Sequence, residues 1–218
     1  VISLGNFFLS CFASDDTKPK SYPLSLILCI KCFLLQLQHT VPSLILYTDN
    51  YGYKSGINDT MRKELREITQ KALKKIKHKQ KNLICVDIGA NDGTLLKNYP
   101  KNFLRIGVEP IDKLAKECRK HANIVINDFF NYKAYRKLAG KRKVSIITAI
   151  SCFYDIDDPN QFLSDVTKIL DKNGVFIIQQ NYLKSMLELN AFDNVVHEHL
   201  EYYSMHSLNN LLTKHGLE

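Results

Sequence analysis

An apolar run, Leu83-Ile84-Cys85-Val86, leads directly into Asp87-Ile88-Gly89-Ala90-Asn91-Asp92-Gly93-Thr94. This junction constrains the chain more than any other stretch. An apolar run bounded by Gly, Asn and Asp reads as a buried strand ending in a tight loop, where small residues let a ligand press against backbone. A second apolar run, Phe103-Leu104-Arg105-Ile106-Gly107-Val108, ends in Glu109. Strand, glycine loop, helix, strand and acid is the order of a site for an adenosine-containing cofactor. The acid closing the second strand accepts hydrogen bonds from the ribose hydroxyls. The gap from loop to acid is close to the roughly 20 residues of that pattern.

The loop chemistry selects among such cofactors. A dinucleotide site uses G-x-G-x-x-G, so that a helix N-terminus meets a pyrophosphate. Here the pattern is Gly89, Asn91 and Gly93, preceded by Asp87. S-adenosylmethionine (SAM) has no phosphate; it carries an ammonium and a sulfonium beside its carboxylate. Acids such as Asp87 and Asp92 suit a cationic ligand and would repel a pyrophosphate, so the loop points to SAM rather than NAD. The alternative without a ligand is a Gly/Asn turn in an ordinary α/β domain.

From Leu83 onward the chain alternates. Strands are expected at 83–88, 104–109, 123–127, 144–150 and 174–179, and helices at 94–98, 111–121, 131–139, 159–171 and 206–215. This alternation predicts an α/β fold, a parallel sheet with helices on both faces. Asp171-Lys172-Asn173-Gly174 reads as a helix stop. Upstream, Asn58-Asp59-Thr60 caps a basic helix, with Glu64 completing the cap. Its apolar stripe is Leu65, Ile68, Ala72 and Ile76, and its lysines, from Lys71 to Lys81, form a solvated face. Residues 1–50 read as short strands and turns: a strand at 23–29, a tight turn at Cys29-Ile30-Lys31-Cys32, and a partner strand at 33–38. Two readings of the cysteines stay open, half of a zinc ribbon or two half-buried thiols in a hairpin. A structural zinc needs four ligands. Cys11 and His39 are the nearby candidates, and neither has a fitting spacing.

Bulk properties narrow the classes. The 218 residues are 45% hydrophobic, enough for a core, and carry a net charge of +8. The positive charge is spread out rather than focused, which argues against nucleic-acid binding; an anionic substrate such as a nucleotide sugar would benefit from it. The segment 22–47 is apolar but interrupted by Lys31, Gln36, Gln38, His39 and Pro42, whereas a membrane span needs about 20 consecutive apolar residues. No basic leader precedes the short apolar start. The expectation is a cytoplasmic protein with reduced thiols. The chain opens on Val1 and closes on Glu218 where another strand is due, so it reads as a fragment truncated at both ends.

Other strand ends carry candidate chemistry. Asp128, in Asn127-Asp128-Phe129-Phe130, can accept from an adenine amino group with Phe129 covering the base, or it can cap the helix at 131–139. Asp158-Pro159 reads as a helix start. In His197-Glu198-His199, spacing by two on an extended segment puts both histidines on one face and Glu198 on the other. A histidine beside a carboxylate suits general-base work near neutral pH; polar residues facing solvent are the alternative, and a metal pair lacks further ligands.

With these residues in place, the chain resembles the SAM-dependent sugar C-methyltransferases of deoxysugar biosynthesis over essentially its whole length. Leu4-Gly5-Asn6 with Leu9 is similar to that family's LGxxPLAN segment. Tyr22-Pro23-Leu24, Cys29-x-x-Cys32 and Gln36 resemble its second zinc pair and the strand after it. Tyr51-x-Tyr53-x-Ser55-Gly56 resembles the loop that closes over the site. Residues 87–94 and Gly107-Val108-Glu109-Pro110 resemble the SAM loop and ribose acid. Phe192-Asp193, His197-Glu198-His199, Tyr202 and Ser204 resemble its FD..YHEH…Y.S block. The family's first cysteine pair would precede Val1, and Val196 stands where Tyr is usual.

The resemblance implies a Rossmann-like class I methyltransferase sheet preceded by a small, partial zinc-ribbon region. It divides the chain into a partial zinc-binding domain (1–50), a loop and basic helix (51–80), a SAM domain (81–182) and the start of a catalytic region (183–218). It implies SAM on Asp87, Gly89, Asn91, Gly93, Glu109, Asp128 and Phe129, and structural zinc on Cys29 and Cys32. His199 becomes the base, beside Glu198 and His197, and Tyr53, Tyr154 and Tyr202 meet a nucleotide-linked keto-sugar. A small molecule is then the partner of a monomer, without nucleic acid or membrane. Two other functions stay open. O- or N-methylation of another small molecule would share the SAM site, and a zinc-ribbon RNA-binding protein would use the basic helix.

Overall fold

The structure is a computed structural model and describes residues 1–10, 20–48, 51–76 and 83–218. The chain divides into two compact units. One comprises Val1–Gly52, Ser151–Asn160 and Gln180–Glu218, and the other Tyr53–Ile150 and Gln161–Gln179. In chain order the strands are β1 (Ile2–Phe8), β2 (Ser21–Leu28), β3 (Leu35–Leu37), β4 (Ile84–Ile88), β5 (Leu104–Val108), β6 (Ile124–Ile126), β7 (Val144–Ile150), β8 (Leu170–Gln179) and β9 (Glu201–Tyr202). The helices are α1 (Ser43–Leu46), α2 (Asp59–Lys75), α3 (Asp112–Cys118), α4 (Tyr132–Ala139), α5 (Pro159–Ile169), α6 (Leu183–Glu188) and α7 (Met205–Lys214).

The second unit holds a parallel five-stranded sheet in the order β6-β5-β4-β7-β8. Every residue of β4 is buried, as expected of a strand covered on both faces. Side-chain alternation assigns the two faces. Val175 and Ile177 of β8 join Cys85 and Ile146 in a cluster with Leu65, Ile68, Ala72 and Ile76, the apolar stripe of α2. Phe176, between them, meets Phe162 of α5 at 6.4 Å between ring centroids. The expected α/β sheet with helices on both faces is therefore present. Its strand order reverses direction at β4: β5 and β6 build outward on one side, β7 and β8 on the other. Ligands of open parallel sheets sit at such a switch point, beyond the carboxyl ends of the strands.

Local chemistry explains the departures from the sequence pattern. The helix expected at 94–98 is a single 3₁₀ turn, Leu96–Asn98, because Tyr99 precedes Pro100 and is held extended at ψ 145°. The helix stop expected at 171–174 is a bulge inside β8. Leu170 pairs with Val144 and Val175 with Ile146, and the Asp171 carboxylate takes the Asn173 N–H at 2.9 Å. Asn58 caps α2 by accepting from the N–H groups of Thr60 and Met61. Glu64 is not part of that cap; it accepts from Gln179 at 3.3 Å.

The first unit holds an antiparallel sheet in the order β1-β2-β3-β9. The hairpin expected around Cys29 is the β2–β3 pair. The sequence pattern did not show that β9, more than 160 residues later, adds to β3 through Leu35–Tyr202 and Gln36–Glu201. Leu24, Leu26, Leu37, Leu200 and Tyr202 form its core. Segments 1–50 and 183–218 thus contribute strands to one sheet. Among the described residues, no helix is long and apolar enough to cross a membrane.

Gly107 packs where a side chain has no room. A Cβ there would lie 2.6 Å from the Cys118 sulfur and 3.2 Å from both the Ala90 Cβ and Leu96 Cδ1. Gly107→Val should therefore lower the urea midpoint by the equivalent of about 1–3 kcal/mol, the usual cost of overpacking. An unchanged midpoint would show that α3 can yield.

Candidate functional site

The loop after β4 is held by backbone. The N–H groups of Gly89 and Ala90 both donate to the Val108 carbonyl, at 3.0 and 2.9 Å. Gly89, Asn91 and Gly93 take positive φ of 72°, 50° and 80°. Gly adopts that conformation without strain, and Asn tolerates it best among other residues. The loop composition read from the sequence is thus the composition its turn requires.

Glu109 closes β5 at 4% exposure. Its two carboxylate oxygens accept from the N–H groups of Asn91 at 2.8 Å and Ile111 at 2.9 Å. Burial raises its pKa, while those two N–H groups favour the charged form. Each oxygen keeps a further lone pair, so the carboxylate can still accept from a diol. Asp128 is exposed beyond β6 and accepts from the Phe129 N–H at 2.8 Å. It does not cap α4. Asn131 does, by accepting from the Ala134 N–H, which leaves Asp128 out of the helix cap.

A second loop braces the first. The Ser55 N–H donates to the Asn91 side chain at 2.9 Å, the Gly56 N–H to Asp92 at 2.9 Å, and the Asn91 amide to the Tyr53 carbonyl at 3.2 Å. Asp92 also accepts from Thr94 through its backbone and hydroxyl. Tyr53 is 46% exposed. Asn91 and Asp92 are therefore spent on loop architecture.

Asp87 is 3% exposed and accepts from the Thr148 hydroxyl at 2.6 Å. Burial, reinforced by Glu109, pushes its pKa up to about 8, against the hydrogen bond from Thr148. Burial thus works against the charge the sequence reading placed on Asp87. Thr148 was missed in the sequence. Its only signal was a hydroxyl inside the apolar strand Val144–Ile150.

In the first unit, residues 196–199 are a turn, not an extended segment, because the His199 N–H donates to the Val196 carbonyl at 3.3 Å. The expected shared face of the two histidines is lost. His197, 2% exposed, places Nε2 3.1 Å from the Tyr22 carbonyl of β2, which makes it a tether to the sheet. His199 places Nδ1 2.8 Å from the Asn194 carbonyl. A carbonyl only accepts, so Nδ1 carries the proton and the lone pair lies on Nε2. Burial lowers the His199 pKa, opposed by the Asn194 bond and the nearby Glu198 charge. The Tyr154 ring stands edge-on to His199 at 4.4 Å. Tyr202 is buried in the sheet core, with its hydroxyl 3.5 Å from the same Asn194 carbonyl. The Asp155 charge acts on Tyr154, Tyr202 and Tyr47.

Cys29 and Cys32 occupy the tight turn expected for them. The Phe33 N–H donates to the Cys29 carbonyl at 2.8 Å, and the backbone N–H groups of Cys32 and Lys31 hold the Cys29 thiol below its usual pKa. Two thiols supply half of a tetrahedral site. Among the described residues, no group of three or more His, Cys, Asp or Glu could hold a metal, and Cys11 lies outside the described residues. Cys29 and Cys32 thus supply two zinc ligands at most, as expected of a partial site, and the described residues add no third.

An acid whose folded pKa is raised holds a proton that the unfolded chain releases. The stability from Asp87 is complete below its unfolded value near 3.8 and is lost as pH rises through about 8. Denaturant unfolding from pH 5 to 9 should show Asp87→Asn gaining on wild type by up to about 1.4 kcal/mol per pH unit. Parallel profiles would place the ionised carboxylate in the fold.

The methyltransferase-domain family profile matches residues 57–218. The C-methyltransferase NovU of Streptomyces niveus is 27% identical over 198 residues, covering 90% of this chain and 47% of that protein. The chain thus spans about half the length of this curated relative. Among solved structures, the plantazolicin methyltransferase BamL, in complex with a triazolic desmethylPZN analog and SAH, matches with TM-score 0.57 and 17% identity, over 72% of this chain and 63% of that one. A SAM-dependent methyltransferase from Thermotoga maritima matches with TM-score 0.50 and 22% identity, over 71% of this chain and 73% of that one. At those identities the solved structures speak for the fold, and the profile, spanning most of the chain, carries the assignment: the chain belongs to the methyltransferase-domain family.

Proposed function

We propose that the protein is a SAM-dependent methyltransferase acting on carbon, with a nucleotide-linked keto-sugar as substrate. The observation that carries the carbon chemistry is His199. Its Nδ1 is committed to the Asn194 carbonyl, its lone pair is on Nε2, and burial keeps it neutral at physiological pH. That is the state a general base needs. The name of the Streptomyces niveus relative, a C-methyltransferase, supports the same reading.

The residues of the second unit fit SAM. Glu109 offers acceptor capacity at the end of β5, held in place by two N–H groups. The loop from Gly89 to Gly93 lies at the switch point with a side-chain-poor backbone. Asp128 and Phe129, beyond β6, are the groups for an adenine edge and face. When bound, SAM supplies a methyl group on sulfonium sulfur, which a carbon nucleophile accepts as S-adenosylhomocysteine departs.

Carbon becomes nucleophilic only after a proton is lost next to a carbonyl. His199 Nε2 takes that proton, and the C–H bonding pair passes into the enolate. The resulting imidazolium is stabilised by its Nδ1–H bond to Asn194 and by the Glu198 carboxylate. His197 holds the turn to β2 and takes no proton. General-base assistance of this kind contributes about 10²–10⁴-fold. Tyr154, beside His199, is the group for contact with the sugar. Localisation in the cytoplasm and a monomeric state complete the reading.

Proton exchange at the sugar carbon separates this reaction from O- or N-methylation. A 4-keto nucleotide sugar in deuterium oxide, without SAM, should exchange in the presence of the protein. His199→Ala should abolish exchange and turnover while leaving SAM affinity within about threefold of wild type, since a base acts on the proton alone. Lost SAM binding would remove that role. The acid limb of kcat/KM should lie below the usual histidine value near 6.5. Glu109→Ala should instead weaken SAM binding by about 10-fold or more, the effect of losing hydrogen bonds to a charged group. Unchanged affinity would remove the ribose assignment.

A further inference from the structure

The amino ends of β7 and β8 carry a feature that methyl transfer does not use. Six of the chain's 30 Lys and Arg fall within residues 132–143, a stretch without Asp or Glu. The fold gathers four of them, Arg136, Lys141, Arg142 and Lys143, with Lys168 of α5 around a cavity of 260 Å³. No Asp or Glu lines it, and all of its lining belongs to the second unit. Lys143 immediately precedes β7, and Lys168 stands at the end of α5, just before β8. Gly89 and Glu109 follow the opposite, carboxyl ends of β4 and β5. β7 is 7 residues long, so about 20 Å of sheet separates the two places. Ligands of open parallel sheets belong at the carboxyl ends, so the SAM site does not account for this cavity.

Helix chemistry explains some of these cations. Arg136 and Lys168 stand in the last turns of α4 and α5, where the helix dipole favours positive charge. Both also lie over the ring of Tyr132, with Arg136 Cζ 5.8 Å and Lys168 Nζ 5.5 Å from its centroid. Lys168 pairs with Asp165 at 2.9 Å, and Lys143 Nζ donates to the Lys168 carbonyl at 2.8 Å. Lys141 and Arg142 are the exception. Among the described residues, no hydrogen bond or ion pair holds either side chain. Their backbone, by contrast, is fixed. The hydroxyl of buried Tyr135 donates to the Arg142 carbonyl at 3.0 Å, and Gly140 turns the chain out of α4 at φ 72°. Like charges gathered around one cavity repel, and at Lys141 and Arg142 no protein contact offsets that cost.

We propose that this cavity binds a compact polyphosphate anion of the pyrophosphate class. A guanidinium takes phosphate oxygens in pairs, and the ammonium groups add point charges around it. The cations come from three segments, the ends of α4 and α5 and the connection at 140–143. An anion with two phosphate centres therefore meets more of them than a single phosphate does. The rings argue against a nucleic-acid strand. Tyr132 is engaged by two cations and Tyr135 is buried, so neither offers a face for base stacking. The site stands whatever the methyl acceptor proves to be.

Calorimetric titration of the full chain at neutral pH and low salt tests the site. Sodium pyrophosphate should bind at least about 10-fold more tightly than inorganic phosphate, as additional charge-assisted hydrogen bonds require. The double substitution Lys141→Gln, Arg142→Gln should weaken pyrophosphate binding by about 10-fold or more. Both positions are exposed, so the urea midpoint and the SAM affinity should match wild type. The control, Lys74→Gln with Lys75→Gln, removes the same charge from the last turn of α2, which packs on the other face of the sheet from α5. Distant exposed charges are screened, so the control should stay within about twofold of wild type. Absence of saturable pyrophosphate binding overturns the proposal. So does binding that survives the substitutions at 141 and 142, which would seat the anion elsewhere, or an equal loss in the control, which would make it a general surface attraction. ATP and AMP identify the source of the phosphates. ATP binding as tightly as pyrophosphate, with AMP weak, assigns the site to the phosphate chain of a nucleotide, and exclusion of ATP assigns it to the free anion.

Discussion

The carboxylate of Glu109 is the group on which the rest of the second unit's site depends. It stands at the end of β5 and accepts from the Asn91 N–H, one strand over. That single bond locks the tip of the β4 loop to the tip of β5, while the Gly89 and Ala90 N–H groups anchor the same loop to Val108. Asn91 then passes the order outward: its side chain accepts from Ser55 and donates to Tyr53. A buried carboxylate without those N–H partners would protonate or leave the core. The acid thus shapes the loop before it meets any ligand.

The first unit follows a different logic. Its polar residues are tethered by carbonyl groups rather than by charge. His197 is tied to Tyr22, and His199 to Asn194. The two histidines, on either side of Glu198, diverge because a turn rather than a strand carries them. One becomes part of the sheet's scaffold, and the other keeps a lone pair on Nε2. The acids nearby are the opposite case: burial raises the pKa of Asp155 and Glu201 and favours their neutral forms.

Much of the second unit was legible in advance. The strands around residues 83–88, 104–109, 123–127 and 144–150 were marked by short apolar runs, and the α2 stripe by its helical spacing. Asn91 and the two glycines were legible because a positive φ restricts the choice of residue. The bulge in β8 was not, since Asp171-Lys172-Asn173-Gly174 reads equally as a helix stop. Nor was the shortened turn at 96–98, where Pro100 overrode a helical pattern.

The sequence by itself determined the parallel α/β sheet, the glycine loop at its switch point and the acid that follows, because periodicity and backbone conformation are local properties. Tertiary structure decided what the functional side chains do. Whether Asp87 is charged depends on its burial in the sheet, set against the hydrogen bond from Thr148, 61 positions away. His197 and His199 differ through their separate carbonyl partners. The first and last segments share one sheet through the β3–β9 pairing. Protonation and hydrogen bonding are set by neighbours in space, and those neighbours come from chain segments that local pattern does not connect.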